Sequence, residues 1–283
     1  MWRLDGRICL LTGATAGIGR ESAHTLAAMG VNLVLVGRSK RKLDEVVASV
    51  RRSTPGATVL PIVADLSSQQ DVRRLAARVL REVPQLHVLI NNAAVVTTRR
   101  EETVDGIERQ LAVNHLAPFL LTNLLLDRLA ESAPSRVVMV ASQVERGGEI
   151  DLDDLQRCRN YDGKRAYSQS KLANILFAGE LARRVAGRGI TTISLHPGVY
   201  TTRLLHDLLG WSQLVTRLRG RSLPGPAGGA LVIARAAAAP ELAVSGTIHL
   251  QEHEVKEPSA QARDEALAAA LWTASARLTG IDV

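Results

Sequence analysis

Tyr167 and Lys171 stand four residues apart in Tyr167-Ser168-Gln169-Ser170-Lys171, a spacing that places both on one face of a helix. A phenol titrates near ~10 and a lysine near ~10.4 when unperturbed. An adjacent ammonium favours the phenolate, which brings Tyr167 toward a range useful for proton transfer. A second set of residues suits an anion. Thr12-Gly13-Ala14-Thr15-Ala16-Gly17-Ile18-Gly19 follows an apolar run and leads directly into a helical pattern. Glycines let such a turn approach a pyrophosphate closely, and the following helix offers free N–H groups and the positive end of its dipole. The expected ligand is a dinucleotide, held by Gly13, Thr15, Ala16, Gly17, Ile18 and Gly19.

Residues after the second apolar run choose between two such dinucleotides. Gly37-Arg38-Ser39-Lys40-Arg41-Lys42 offers no carboxylate where an Asp or Glu would bind the ribose hydroxyls of NAD. Arg38 can instead grip a 2′-phosphate through a bidentate, charge-assisted contact, and Ser39 can add a hydroxyl. NADP(H) is therefore expected over NAD(H), with Arg20 as a second candidate for the same phosphate. Oxidised NADP beside Tyr167 would further favour the phenolate. Arg41 and Lys42 have the plainer reading of a solvated helix start.

These groups need a scaffold. Short apolar runs at 8–12, 32–36, 58–63, 87–91, 136–141, 191–195 and 247–250 are rich in Val, Ile and Leu without strict polar alternation, as expected of strands buried on both faces. Helical patterns at 18–29, 40–52, 69–83, 103–130, 165–187 and 226–238 separate them. That alternation predicts a single α/β domain over residues 1–283, with a doubly wound, mostly parallel, seven-stranded sheet flanked by helices. Two stretches break the rhythm: a polar insertion at 143–164 and a Leu-rich segment at 200–223. Both begin at strand carboxyl ends, where ligands bind in such sheets. The second is expected to be a lid over a hydrophobic substrate, with Leu204, Leu208 and Trp211 facing the pocket.

Composition narrows the class. The chain has 283 residues, 46% of them hydrophobic, which excludes wholesale disorder. Its formal charge of +7 comes from 35 Lys+Arg against 28 Asp+Glu, and the Arg residues are scattered among acids rather than gathered into a run. A solvated Arg-rich surface is the reading, and nucleic-acid binding is not expected. Cys9 and Cys158 are too few for a disulfide framework or a metal site, so no metal is expected. No apolar stretch approaches the ~20 residues of a membrane span, and the first strand comes within about ten residues, leaving no room for a signal peptide. A soluble, cytoplasmic protein is the expectation.

Taken together, the motifs resemble the short-chain dehydrogenase/reductase superfamily over nearly the whole chain. The matching residues are Thr12 to Gly19, Asp65-Leu66, Asn91-Asn92-Ala93-Ala94, Asn114, Ser142, Tyr167 with Lys171, and Pro197-Gly198. Asn114-His115-Leu116-Ala117-Pro118-Phe119, Ser170-Lys171-Leu172-Ala173-Asn174 and His196-Pro197-Gly198-Val199 resemble its retinol-dehydrogenase-like branch. So do the terminal Leu271-Trp272-Thr273 and the long gap from Ser142 to Tyr167.

The resemblance implies a Ser–Tyr–Lys–Asn catalytic set. Tyr167 would exchange the proton as hydride moves, Lys171 would lower the Tyr167 pKa and hold the nicotinamide ribose, and Ser142 would hydrogen-bond the substrate oxygen. Asn114 would keep a water near Lys171. Asp65 and Leu66 would flank the adenine, with Asn92 and Ala93 beside the ribose. Pro197, Gly198, Val199, Tyr200 and Thr202 would meet the carboxamide and pyrophosphate. Plain structural uses also exist: Asn114 could satisfy a helix kink and Ser142 could cap a strand end. Ala94 stands where the family commonly has glycine, and Tyr200 where a smaller residue is usual.

The expected activity is NADPH-dependent carbonyl reduction, reversible as alcohol dehydrogenation, on a hydrophobic aldehyde or ketone bordered by Gln143, Tyr161, Tyr200 and the lid. The alternatives are an isomerase or cyclase on the same scaffold and a non-catalytic NADP(H) sensor, which would be expected to lose Tyr167 or Lys171. The family also implies a homodimer or homotetramer through the helices around Asn114 and Tyr167. Aromatics make up only 3% of the chain. All three tyrosines fall near the chemistry, leaving Trp2, Phe119, Phe177 and Trp272 as packing residues.

Overall fold

The computed structural model describes residues 3–202, 204, 224–244 and 246–282. Leu208 and Trp211, and nearly all of the expected lid, lie outside the described residues. The sheet begins with β1 (Ile8–Thr12), β2 (Asn32–Gly37), β3 (Val59–Val63) and β4 (Val88–Asn91), joined by α1 (Gly17–Ala28), α2 (Lys40–Ser53) and α3 (Gln69–Glu82). It continues through β5 (Ser135–Val140), β6 (Ile190–His196) and β7 (Thr247–Gln251), with α7 (Gly163–Arg184) and α8 (Ala227–Ala238) as crossovers. A two-residue β8 (Glu254–Val255) and α9 (Glu265–Thr279) follow.

The strand order is β3-β2-β1-β4-β5-β6-β7-β8. Seven strands are parallel and β8 pairs antiparallel with β7, so the described sheet has eight strands rather than the expected seven. A two-residue edge strand has no periodicity to announce it. Side chains alternate between two cores. Cys9 and Leu11 pack on the α1–α8 side, whereas Leu10 packs on the α3–α7 side. Burial on both faces is why these strands read as continuous apolar runs. The order reverses between β1 and β4, opening a crevice at their carboxyl ends.

The helix expected over 103–130 is broken. Residues 102–108 form a tight hairpin instead, with Thr103 N donating to Ile107 O and Gly106 in the left-handed region at φ 71°. Then come α4 (Arg109–Leu111), a π-helical turn (Ala112–Leu116), α5 (Ala117–Leu124) and α6 (Leu126–Glu131). Pro118 is the cause within the helix: it has no N–H to donate to the Asn114 carbonyl, so the regular pattern fails there. Ala117 N donates to Ala112 O, five residues back.

Helix α9 packs across α5 and α7. Trp272 lies 5.0 Å from Phe119 and 5.5 Å from Phe177, ring centroid to centroid, and Ala268 and Leu271 join a cluster with Leu172, Ile175 and Leu176. Phe119, Phe177 and Trp272 are packing residues, while Trp2 lies outside the described residues. No described helix is long and apolar enough to cross a membrane.

Candidate active site

Strand β1 delivers Gly13 into the left-handed region at φ 70°, and Gly17 opens α1 at φ 52°. Space is as tight as conformation. A Cβ on Gly19 would sit 2.2 Å from the Gly13 oxygen, and one on Gly13 would sit 2.8 Å from Ala93 Cα. The N-terminus of α1 has no side-chain cap and no acid in its first turn. Its N–H groups and dipole are thus left for an external anion, and the cradle fits a dinucleotide pyrophosphate. Two side chains lock the turn. Thr12 Oγ1 accepts from Asn92 N at 3.0 Å and Ala93 N at 3.1 Å, and Asn92 Nδ2 donates to Thr12 O at 2.9 Å. Asn92, expected beside the ribose, is committed through its side chain to the turn itself.

At the end of β2, Gly37 makes room for Thr15, whose methyl would lie 2.5 Å from a Cβ there. Arg38 is exposed and has no hydrogen bond or ion pair to a described residue. Arg41 and Lys40, by contrast, pair with Glu45 and Asp44 along α2. Ser39 caps α2, its hydroxyl accepting from Lys42 N at 3.5 Å, and its proton stays available for donation. Burial pushes the Asp65 carboxyl up, but donation from the Ser67 N–H and hydroxyl, with the charges of Arg38 and Arg109, brings it below its ordinary value. Leu66 packs against the core beside it.

The catalytic candidates converge on the first turns of α7. Tyr167 and Lys171 are both buried, and Lys171 Nζ lies 5.5 Å from the Tyr167 ring centroid and donates to Val140 O at 2.9 Å. Burial lowers Lys171 to about 8 and pushes the Tyr167 phenol up. In the protein alone, then, desolvation outweighs the expected lowering of Tyr167 by the ammonium, because both charged forms are taken from water. Asn114 Oδ1 accepts from Val95 N at 2.8 Å, and its Nδ2 donates to Val95 O and to Ser170 Oγ, each at 3.0 Å. Its side chain therefore pins the loop after β4 to α7. Ser142, beyond β5, caps the 3₁₀ turn Gln143–Gly147 through a long 3.5 Å bond from Val144 N. Gln143 beside it is exposed.

On the far wall, Gly198 takes φ 102° after Pro197, and Val199 is exposed. The Tyr200 ring fills the space beside Gly198, Gly228 and Gly229, next to Ile18. It packs the end of β6 onto the start of α8. The Thr202 methyl would lie 3.3 Å from a Cβ on Gly17, which brings this segment to the glycine turn. Leu204 is half-buried. The Tyr161 hydroxyl donates to Glu108 Oε1 at 3.0 Å and accepts from Gln110 Nε2 at 2.8 Å, so its polar end is spent inside the protein.

Thr12, Gly37, Ser170 and His196 stood in motifs of the sequence without a role of their own, and Glu108 and Gln110 stood in none. Gly37, directly before Arg38, was the visible signal for close approach at the end of β2. His196 is buried, with Nδ1 lacking a described partner. Burial lowers its pKa, Glu252 raises it and Lys171 lowers it further. Nothing local marks such a residue, because its neighbours come from other segments.

Three comparisons bear on this geometry. The model of the family described as short chain dehydrogenase matches residues 7–213. Among curated proteins, human retinol dehydrogenase 13 is 39% identical over 285 residues, covering 99% of this chain and 86% of that protein. Human retinol dehydrogenase 11 is 39% identical over 283 residues, covering 99% and 88%. Among solved structures, an uncharacterized protein of Mycobacterium paratuberculosis superposes with a TM-score of 0.79 at 34% identity, covering 100% of this chain and 96% of that one. A short chain dehydrogenase of Burkholderia cenocepacia in complex with NADP gives 0.71 at 25% identity, covering 88% and 97%.

Proposed function

Because this chain belongs to the short-chain dehydrogenase/reductase family, whose members are oxidoreductases acting on CH–OH groups, we propose that it interconverts a hydrophobic aldehyde or ketone and its alcohol with NADP(H). The observation that carries the reading is the pairing of an uncapped glycine-lined α1 N-terminus with a buried Tyr167–Lys171 pair on α7, across the sheet. Bound NADP(H) supplies or accepts the hydride. The relatives named retinol dehydrogenase support a hydrophobic substrate.

In this reading Arg38 and Ser39 hold the 2′-phosphate, Asp65 and Leu66 flank the adenine, and the Gly13–Gly19 turn receives the pyrophosphate together with Thr202. Ala93 borders the ribose. Lys171 keeps one proton on Val140 O and offers the others to ribose hydroxyls. Tyr167 gives its hydroxyl proton to the substrate oxygen during reduction and recovers it during oxidation, while Ser142 orients that oxygen. A phenol raised by burial holds its proton until the substrate oxygen becomes basic, which suits the acid role. The positive charge of the oxidised nicotinamide would favour the phenolate needed in the alcohol direction.

The test is NADPH consumption, followed by absorbance, with a panel of aliphatic, aromatic and polyene aldehydes and ketones, repeated with NADH. Turnover with NADPH and at least tenfold less with NADH is expected. Tight NADPH binding without consumption on any carbonyl would refute the assignment.

A further inference from the structure

Gly163 and Tyr167 lie four residues apart on α7 and so share one face of its first turns. The chain leaving β4 runs along that face. At Val95 it is held by Asn114, which also reaches Ser170. At Thr97 it abuts Gly163 so closely that a Cβ there would sit 2.0 Å from the Thr97 oxygen. Residues 95–97 are therefore anchored at Ser170 and at Gly163, the two ends of the α7 stretch that contains Tyr167. Val95 and Val96 are only partly buried, which leaves apolar surface on this segment.

A buried polar knot holds the Thr97 end. The Tyr161 hydroxyl lies 3.0 Å from Thr97 Oγ1, donates to Glu108 Oε1 and accepts from Gln110 Nε2. Gln110 Nε2 also donates to the carbonyls of Gly163 at 3.0 Å and Thr97 at 3.3 Å. Glu108 is 1% exposed and accepts from Gln110 N at 2.9 Å and Leu111 N at 2.7 Å. Burial raises its pKa despite these donors and the charge of Arg100. The two backbone bonds cap the helical run that begins at Arg109 and continues through the π-helical turn into α5, but they do not use all that the carboxylate offers. It also fixes the hydroxyl of Tyr161, which comes from the 143–164 insertion.

We propose that Glu108 and Tyr161 are positioning residues that clamp residues 95–97 as a fixed apolar wall, against which a hydrophobic carbonyl substrate is oriented beside Tyr167. The proposal rests on the carbonyl-reductase reading above. It gives the insertion a task distinct from a lid: it braces the wall through a hydroxyl rather than closing over the substrate.

Tyr161→Phe removes the hydroxyl and keeps the ring. Leaving buried partners unsatisfied should raise KM for a long-chain aldehyde roughly tenfold, with kcat and NADPH affinity within about twofold of wild type. Hydrogen–deuterium exchange at amides 95–98 should quicken, while that at 12–19 stays unchanged. Glu108→Gln keeps the shape and one acceptor, so a smaller KM rise is expected, and the double variant should be no worse than Tyr161→Phe, as for partners in one network. Unchanged KM and exchange in Tyr161→Phe would overturn the clamp, as would a fall in kcat with exchange at 95–98 unaltered. A wild-type enzyme inert on every carbonyl would overturn the proposed function instead, and the exchange measurement would still decide the wall.

Discussion

The two halves of the site are built in opposite ways. The half proposed to hold the dinucleotide works by omission: Gly13, Gly19 and Gly37 leave space that a single Cβ would fill, and the groups facing outward are backbone N–H. The half proposed as catalytic works by burial of polar side chains. Tyr167, Lys171, Asn114, Ser170 and Glu108 are all nearly closed to solvent, and the last four are bonded to partners from distant segments. Omission is a local property of a few consecutive residues. A buried polar network exists only once the fold has closed around it.

That contrast can be broken experimentally, and the largest effect should come from the catalytic half. Tyr167→Phe should cut turnover by about 10³-fold, within the range for loss of a general acid, while NADPH affinity measured by fluorescence stays within about twofold. Retained turnover would remove Tyr167 from the chemistry. Gly19→Ala should act on the other half alone: overpacking of about 1–3 kcal/mol should weaken NADPH binding by up to ~100-fold. Normal binding by this variant would show that the turn tolerates a side chain, and the idea of omission would fall.

Arg38→Asp is expected to move the NADPH-to-NADH preference by roughly 10- to 100-fold, the worth of charge-assisted hydrogen bonds replaced by repulsion. A preference that does not move would show that the 2′-phosphate is held elsewhere. The smallest effect concerns acid. His115, bonded to Asn174 and Ser275, and His249, bonded to Ser194, are both lowered to about 4, chiefly by burial. Between the unfolded value of ~6.5 and about 4, the unfolded chain binds protons that the folded chain does not. Stability should therefore fall as pH drops through that window and level off near its lower end. Melting temperatures measured across it should decline, and His115→Asn should flatten the slope; an unchanged slope would exclude His115 as a contributor.

Much of this was legible in the letters. Seven strands fell within a residue or so of their observed positions because burial on both faces writes an apolar run. The Gly13–Gly19 turn, Arg38 and the Tyr167–Lys171 spacing were equally plain. The expected helix over 103–130 was not, because its apolar periodicity continues past the hairpin at Gly106 and the kink that Pro118 imposes. The Asn114 side chain bonds Val95 and Ser170 rather than the backbone of its own helix. Tyr161 and Tyr200 were placed near the chemistry by their positions, in the 143–164 insertion and after β6; the hydroxyl of one is tied to Glu108, and the ring of the other packs on Gly228 and Gly229. Position along the chain does not say which way a side chain points.

By itself, then, the amino-acid sequence determined the doubly wound sheet, through the alternation of apolar runs and helical patterns along the chain, and the glycine turn and the face shared by Tyr167 and Lys171, through spacing along a single segment. Only the tertiary structure decided what surrounds those groups. It set Lys171 on Val140, put Asn92 to work on the turn, tied the insertion to Glu108 and laid α9 over α5 and α7. The physical reason is that hydrogen-bond satisfaction and desolvation depend on groups brought together from far along the chain, and no local spacing encodes them.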